Sequence, residues 1–210
     1  MHRKEIVHAI CFQPLQNSMS KVIVKNEKVL SDEHYTLKQI DFDIQKKNGD
    51  WENQKREVFN HGNAVTALLY NTVTRTIILT KQFRIATYLN GNDSGMLVEA
   101  CAGLLEKNEH PDETVKREIK EETGYAVTQV QKVYEAYTSA GTLTELLYLY
   151  VAPYSKEQKE TRGGGLAEEE EEVEVMEIPF DEALQMMEQG GIKDAKTIIL
   201  LQYIQLKQLL

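Results

Sequence analysis

The sequence predicts an α/β fold, a three-layer α/β/α sandwich built on a mixed sheet, with a small β unit added at the N-terminus. Three observations carry this. Two apolar runs of strand length, AVTALLY (64–70) and TIILTKQF (76–83), joined by a polar turn, read as buried strands. Three helices are spread along the second half of the chain rather than collected at one end. The first segment alternates apolar and polar residues instead of running apolar, so its strands are half-buried.

The N-terminal unit spans residues 19–61. Val22 and Val24 alternate with polar neighbours, as do Ile40, Phe42 and Ile44. Asn48-Gly49 supplies a hairpin turn, and the return strand runs about Trp51–Phe59. Three strands bury too little to stand alone, so the unit is expected to pack on the main domain or on a second subunit. Residues 1–18 read as an extension lacking an apolar secretion core. The main domain is expected over 62–210. MLVEACAG (96–103) reads as one strand, and a helix runs from Pro111 to Thr123. Pro111 suits its first turn and Gly124 the left-handed position past its end. VQKVYEAYTS, LTELLYLYVAPY and VEVMEIPF read as further strands, DEALQMMEQGG as a short helix, and Ala195–Leu210 as the closing helix. Between them lies a long polar loop, KEQKETRGGGLAEEEEE (156–172), of the length that functional or disordered loops have.

The chain has 210 residues, a net charge of −9 and two cysteines, Cys11 and Cys101. Such a charge repels nucleic acid and anionic membrane. No apolar run approaches the ~20 residues of a bilayer span. Two distant thiols do not make a disulfide framework, so both are expected reduced and the protein cytoplasmic.

The chemistry concentrates in GLLEKNEHPDETVKREIKEETGY (103–125). On a helix Glu118 and Glu122 share a face, with Glu121 one turn from Glu118. Like charges so placed repel. Three glutamates alone are more often a solvated face. Oxygen-only donors, however, suit the hard cations Mg²⁺ and Mn²⁺, and such a face could receive a diphosphate through them. The fuller pattern is G-x5-E-x7-R-E-U-x-E-E-x-G-U, with U bulky and apolar. Gly103, Glu109, Arg117, Glu118, Ile119, Glu121, Glu122 and Gly124 all fit it, and Tyr125 alone departs, being aromatic. This stretch resembles the Nudix box.

The resemblance extends over about residues 20–210. LSDEHYTL, KREVFNHGN, QFRIATYLNGNDSG, LVEACAGLL, GGGLAEEEE and KDAKTIILL are similar to the GDP-mannose pyrophosphatase branch of the Nudix hydrolases. It implies a Nudix α/β/α sandwich, with an N-terminal β unit exchanged across a homodimer. It implies Mg²⁺, with Mn²⁺ as a possible substitute, held by Glu118, Glu122, the Ala102 carbonyl and a late glutamate. That glutamate falls in Glu168–Glu172. Counting back from the strand favours Glu171, and counting forward from the glycines favours Glu169. Arg117 is implied to pair with a box carboxylate such as Glu109. The catalytic set is Glu171 as base, Glu121 as the second choice, and Glu122.

Substrate contacts are implied at His34, Lys55, Arg56, Glu57, Arg84, Ala102, Gly103, Leu104, Glu122, Glu145, Glu170 and Lys196. The aromatic expected at position 34 stands next door, at Tyr35. Read as residues alone, Arg84 and Lys196 fit ordinary surface equally well. The implied reaction is cleavage of GDP-mannose to GMP and mannose 1-phosphate. Alternatives are ADP-ribose or a broad range of sugar nucleotides, and a silent nucleotide sensor. An acidic Ca²⁺-binding protein is disfavoured, since no D-x-D-x-D-G loop is present.

Overall fold

The computed structural model describes residues 21–165 and 172–210. Its body is a seven-stranded mixed sheet. The order along the main path is β10 (Glu174–Pro179), β5 (Thr76–Phe83), β4 (Ala64–Asn71), β9 (Leu147–Pro153) and β8 (Gln131–Ala136). Among the described strands, only β4 and β9 pair in parallel, in the register Ala64↔Leu147 to Tyr70↔Pro153.

The segment read as one strand over 96–103 is two. β6 (Met96–Glu99) pairs with β5, and β7 (Cys101–Leu104) pairs with β4. The chain changes partner at Ala100. Two short strands thus share the gap where β4 and β5 separate, and the residues around Ala100 line a cleft.

Strand periodicity builds the three layers. Val65, Ala67 and Leu69 of β4 join one core with Ile78, Val115, Ile119 and Tyr125. Ala64 and Leu68 join the other, with Leu79, Phe180, Leu200, Leu201 and Ile204. The first core lies under α2 (Pro111–Glu118). The second lies under α3 (Phe180–Glu188) and α4 (Ala195–Lys207). A short helix, α1 (Ile85–Leu89), follows β5 and has no counterpart in the sequence reading.

The helix expected over 111–123 changes character midway. Its start follows local rules: Pro111 opens it, and the His110 side chain accepts from the Asp112 N–H at 3.3 Å. Residues Ile119–Thr123 then form a wider π turn, ending at Gly124 with φ 80°. Such turns recur at functional sites. A side chain at Gly124 would collide with the Thr161 carbonyl, because the chain at 160–165 is laid against this end. Glu160 N–H donates to Gly124 O at 2.9 Å, Gly164 N–H to Glu122 O at 2.8 Å, and Gly165 N–H to Glu121 O at 3.3 Å. Val173 N–H returns to Gly164 O at 3.1 Å.

The N-terminal unit is a separate antiparallel sheet of β1 (Val22–Asp32), β2 (Thr36–Gln45) and β3 (Trp51–Asn60). It is tied to the body at its end, where Phe59 N–H donates to Thr142 O at 2.8 Å and Thr144 N–H to Phe59 O at 3.1 Å. None of its strand residues is buried. Val22, Ile23, Val24, Val29 and Leu30 of its edge strand are exposed.

Candidate active site

The strand β7 just past the break at Ala100, the end of α2 and the start of α4 open onto one cavity of about 580 Å³. Ala102, Gly103 and Leu104 line one part of it, Arg117 and Glu118 another, and Arg84, Asp194 and Lys196 a third. Glu145, Tyr35 and His61 also line it.

The acidic side rests on Gly103. Its missing side chain leaves room for the Glu118 carboxylate, which a Cβ there would strike. Glu122 is 2% exposed, on the π turn. The buried Cys101 thiol lies beside it. Burial first, then the charges of Glu122 and Glu118, push that thiol well above its ordinary pKa, so it stays protonated. Arg117 sits among three carboxylates: Glu109 at 3.2 Å, Glu118 at 2.9 Å and Glu121 at 2.9 Å. Burial pulls its pKa down, but the Glu109 hydrogen bond and the charges of Glu118, Glu121 and Glu109 outweigh this, and the net shift is upward. One guanidinium therefore offsets much of the repulsion that the sequence reading found among these glutamates.

Among the described residues, no three acidic, imidazole or thiol groups form a ready-made metal cluster. The donor set still fits Mg²⁺. Glu118, which shares the cavity wall with Ala102, and the buried Glu122 behind it match an ion that usually takes one or two carboxylates and completes its shell with water and substrate phosphates. Glu168, Glu169, Glu170 and Glu171 lie outside the described residues. Glu172 is described and exposed.

The basic side is organised by a residue the sequence reading passed over. Glu99 is 2% exposed. Its Oε1 accepts from Arg84 Nε at 2.7 Å and its Oε2 from Lys196 Nζ at 2.5 Å. Lys196 also donates to Asp194 Oδ1 at 3.0 Å. Lys196 is thus no ordinary surface lysine, with a side chain only 13% exposed. Burial works against its charge, but Glu99 and Asp194 more than compensate and raise its pKa. Arg84, with 40% side-chain exposure, is the more open of the pair.

Glu145 is held by Thr138 Oγ1 at 2.9 Å. Tyr35, rather than His34, lines the cavity, with its ring 5.4 Å from His61. Lys55, Arg56 and Glu57 stand exposed on β3 and are absent from this cavity's lining. Lys55 pairs with Asp41 at 3.6 Å, and Arg56 donates to the Lys55 carbonyl at 2.8 Å. Glu99, Asp194 and His61 lie within LVEACAGLL, KDAKTIILL and KREVFNHGN but outside the box, and the sequence reading gave them no role.

Residues 60–200 match the NUDIX domain model, and residues 21–59 match that of the GDP-mannose pyrophosphatase NudK N-terminal domain. The chain is 45% identical over 190 residues to the GDP-mannose pyrophosphatases of Escherichia coli strain K12 and Escherichia coli O9:H4 (strain HS), covering 90% of this chain and 98% of each relative. The crystal structure of an ADP compounds hydrolase superposes with a TM-score of 0.67 at 16% identity, covering 91% of this chain and 98% of that one. That likeness is one of fold. The box residues 103–124, the sandwich that carries them and the family match converge: this chain is a member of the Nudix hydrolase family, similar along nearly its whole length to the GDP-mannose pyrophosphatase branch.

Proposed function

We propose that this protein hydrolyses the diphosphate bond of a nucleoside diphosphate sugar, GDP-mannose foremost, to GMP and mannose 1-phosphate. The reading rests on one observation above others. Glu118 lines one side of a cavity whose other side carries Arg84 and Lys196, and the buried Glu122 lies behind that acidic side, beside Cys101. A diphosphate with a sugar attached needs that division: an acidic face that binds it through cations, and N–H donors for the rest. The 45% identity to curated GDP-mannose pyrophosphatases supports the choice of base and sugar.

In this reading Ala102, Glu118 and Glu122 hold Mg²⁺, or Mn²⁺ in its place, together with a glutamate of 168–171, Glu171 by preference. When bound, the ion neutralises phosphate charge and acidifies water. The chain's own residues do the rest. Arg117 keeps Glu118 and Glu121 oriented. Arg84 and Lys196 grip the substrate, and Glu145, Leu104 and Gly103 shape the cavity beside it. Glu171 takes the proton of the attacking water, with Glu121 as the alternative base. Glu121 already accepts from Arg117, which favours Glu171. Gly164 and Gly165, bonded to the Glu122 and Glu121 carbonyls, start the glutamate loop at the end of the box helix. Glu170 is assigned to substrate binding from the same loop.

We also infer a cytoplasmic homodimer in which the β1–β3 sheet lies against the partner. The exposed apolar edge strand β1 supports this. So do Lys55, Arg56 and Glu57, which are exposed, do not line this cavity and would serve the partner's, with His34. Among the described residues, no helix is long and apolar enough to cross a membrane. The test is a panel of GDP-mannose, ADP-ribose, UDP-glucose and GDP with Mg²⁺, with products identified. GMP and mannose 1-phosphate as the fastest-formed products support the reading. Faster release of AMP and ribose 5-phosphate assigns the site to ADP-ribose instead.

A further inference from the structure

We infer that Glu99 is the positioning residue for the substrate-gripping side of the site, fixing Arg84 and Lys196 relative to each other as one preorganised pair of donors. The inference rests on the hydrolase reading above and adds to it a residue outside the box.

Glu99 closes β6 at the place where the chain leaves β5 for β4. Its backbone is fixed there: Thr80 Oγ1 donates to Glu99 O at 3.1 Å, and the next N–H, that of Ala100, donates to Thr197 Oγ1 at 2.6 Å. Thr197 is itself held by Asp194, the N-cap of α4, whose Oδ2 accepts from the Thr197 N–H at 3.0 Å. Sheet and helix are thereby locked together beside the cavity. Across that lock, one carboxylate spends one oxygen on each cation. The cations come from positions 15 and 97 residues away in the chain, so nothing local aligns them.

The four charges cancel: Arg84 and Lys196 against Glu99 and Asp194. This side of the cavity therefore presents oriented N–H groups more than net positive charge. Oriented donors discriminate geometry and cost little reorganisation on binding. A loose cationic patch would attract any polyanion.

The test uses Glu99→Gln and Glu99→Asp in the full-length protein. Glutamine keeps the shape, but turns an NH₂ group toward one of the two cations. Steady-state kinetics with GDP-mannose and Mg²⁺ give kcat and KM. Calorimetric titration of GDP-mannose without a divalent cation gives Kd independently of turnover. For Glu99→Gln, KM and Kd are expected to rise about 10–100-fold, the size of one or two lost charge-assisted hydrogen bonds, with kcat within about threefold of wild type. Glu99→Asp keeps the charge and is expected to recover part of the loss. A purely structural role would lower Tm and leave KM and Kd of the folded protein unchanged; that result overturns the inference. If wild type cleaves a different nucleotide sugar from the panel, GDP-mannose fails as the substrate and the same KM split with that compound decides Glu99. If wild type binds GDP-mannose yet cleaves nothing, the hydrolase reading fails and the Kd comparison decides Glu99. If it neither binds nor cleaves any member, both fall.

Discussion

Gly103 underlies Glu118: the carboxylate of Glu118 occupies the space that a side chain at position 103 would fill. The two are 15 positions apart, in a β-strand and a helix, yet neither can be described without the other. The glycine is required here for close approach rather than for a left-handed backbone. Gly103→Ala is therefore expected to fold and to fail. Displacing one oxygen donor should lower kcat/KM about 10–100-fold, as losing a residue that orients a ligand does. Raised Mg²⁺ should restore part of the rate. A magnesium titration of wild type and variant checks this, and unchanged activity would separate Glu118 from metal binding.

Arg117 gives a prediction about stability and its pH dependence. It faces Glu109, Glu118 and Glu121 and is 30% exposed. Arg117→Gln leaves three carboxylates close together without their shared cation. Breaking a buried pair costs about 3–5 kcal/mol; partial solvation brings the expected loss to about 1–3 kcal/mol. The hydrogen bond from Arg117 holds the Glu109 carboxyl below its ordinary value of 4.5, against the opposing effect of burial. A group lowered in the folded state contributes stability above its unfolded pKa and loses it as pH falls through the folded one. The gap between wild type and Arg117→Gln should thus be widest near neutral pH. It should narrow as pH drops below 4.5. Thermal melts without divalent cations across that range decide it, and a gap that stays constant removes Glu109 from the account.

The contrast between the two halves of the site shows what a sequence makes legible. Gly103, Glu109, Arg117, Glu118, Glu121 and Glu122 fall within one loop and helix, so helical spacing alone brings four of them together. The apolar runs AVTALLY and TIILTKQF likewise read as buried strands, but the division of their side chains between two cores follows from the layers on either side of the sheet. The arrangement of Arg84, Glu99 and Lys196 depends on the β5–β6 register and on where α4 begins, which no local period encodes. Glu99 looked like a single charge inside one strand because the partner change at Ala100 is a tertiary event. The π turn was equally hidden, since the residues of an α-helix and of a π turn share the same composition. α1 was missed because five residues are too few to show a period.

The exposed edge strand leads to a prediction about assembly. Val22 and Val24 are 52% and 54% exposed in the single chain. If they are covered by a second copy, Val24→Asp should weaken the dimer and expose the sheet. Sedimentation analysis should then find monomer at concentrations where wild type is dimeric. Activity per chain should fall with it, since Lys55 and Arg56 would lose the cavity they serve. A wild type that is monomeric throughout removes the partner from the site.

The strictest test falls on Glu122. It is buried beside a protonated thiol and a helix end. A charge so placed is costly unless something compensates it. In the metal reading a bound divalent cation adds to the partners this carboxylate already has, and the residue's effects on stability and on rate separate. Glu122→Gln keeps the volume and a polar oxygen, so the metal-free protein should keep a Tm close to that of wild type. Turnover should drop by orders of magnitude, because the site loses a charged oxygen donor where the diphosphate must be neutralised. Added Mg²⁺ should raise the Tm of wild type and leave the variant's nearly unmoved. Melts with and without Mg²⁺, beside single-turnover assays, separate the two effects. Near-normal turnover in Glu122→Gln, or an equal Mg²⁺ shift in both proteins, would remove this residue from the metal site and leave its burial without a functional reason.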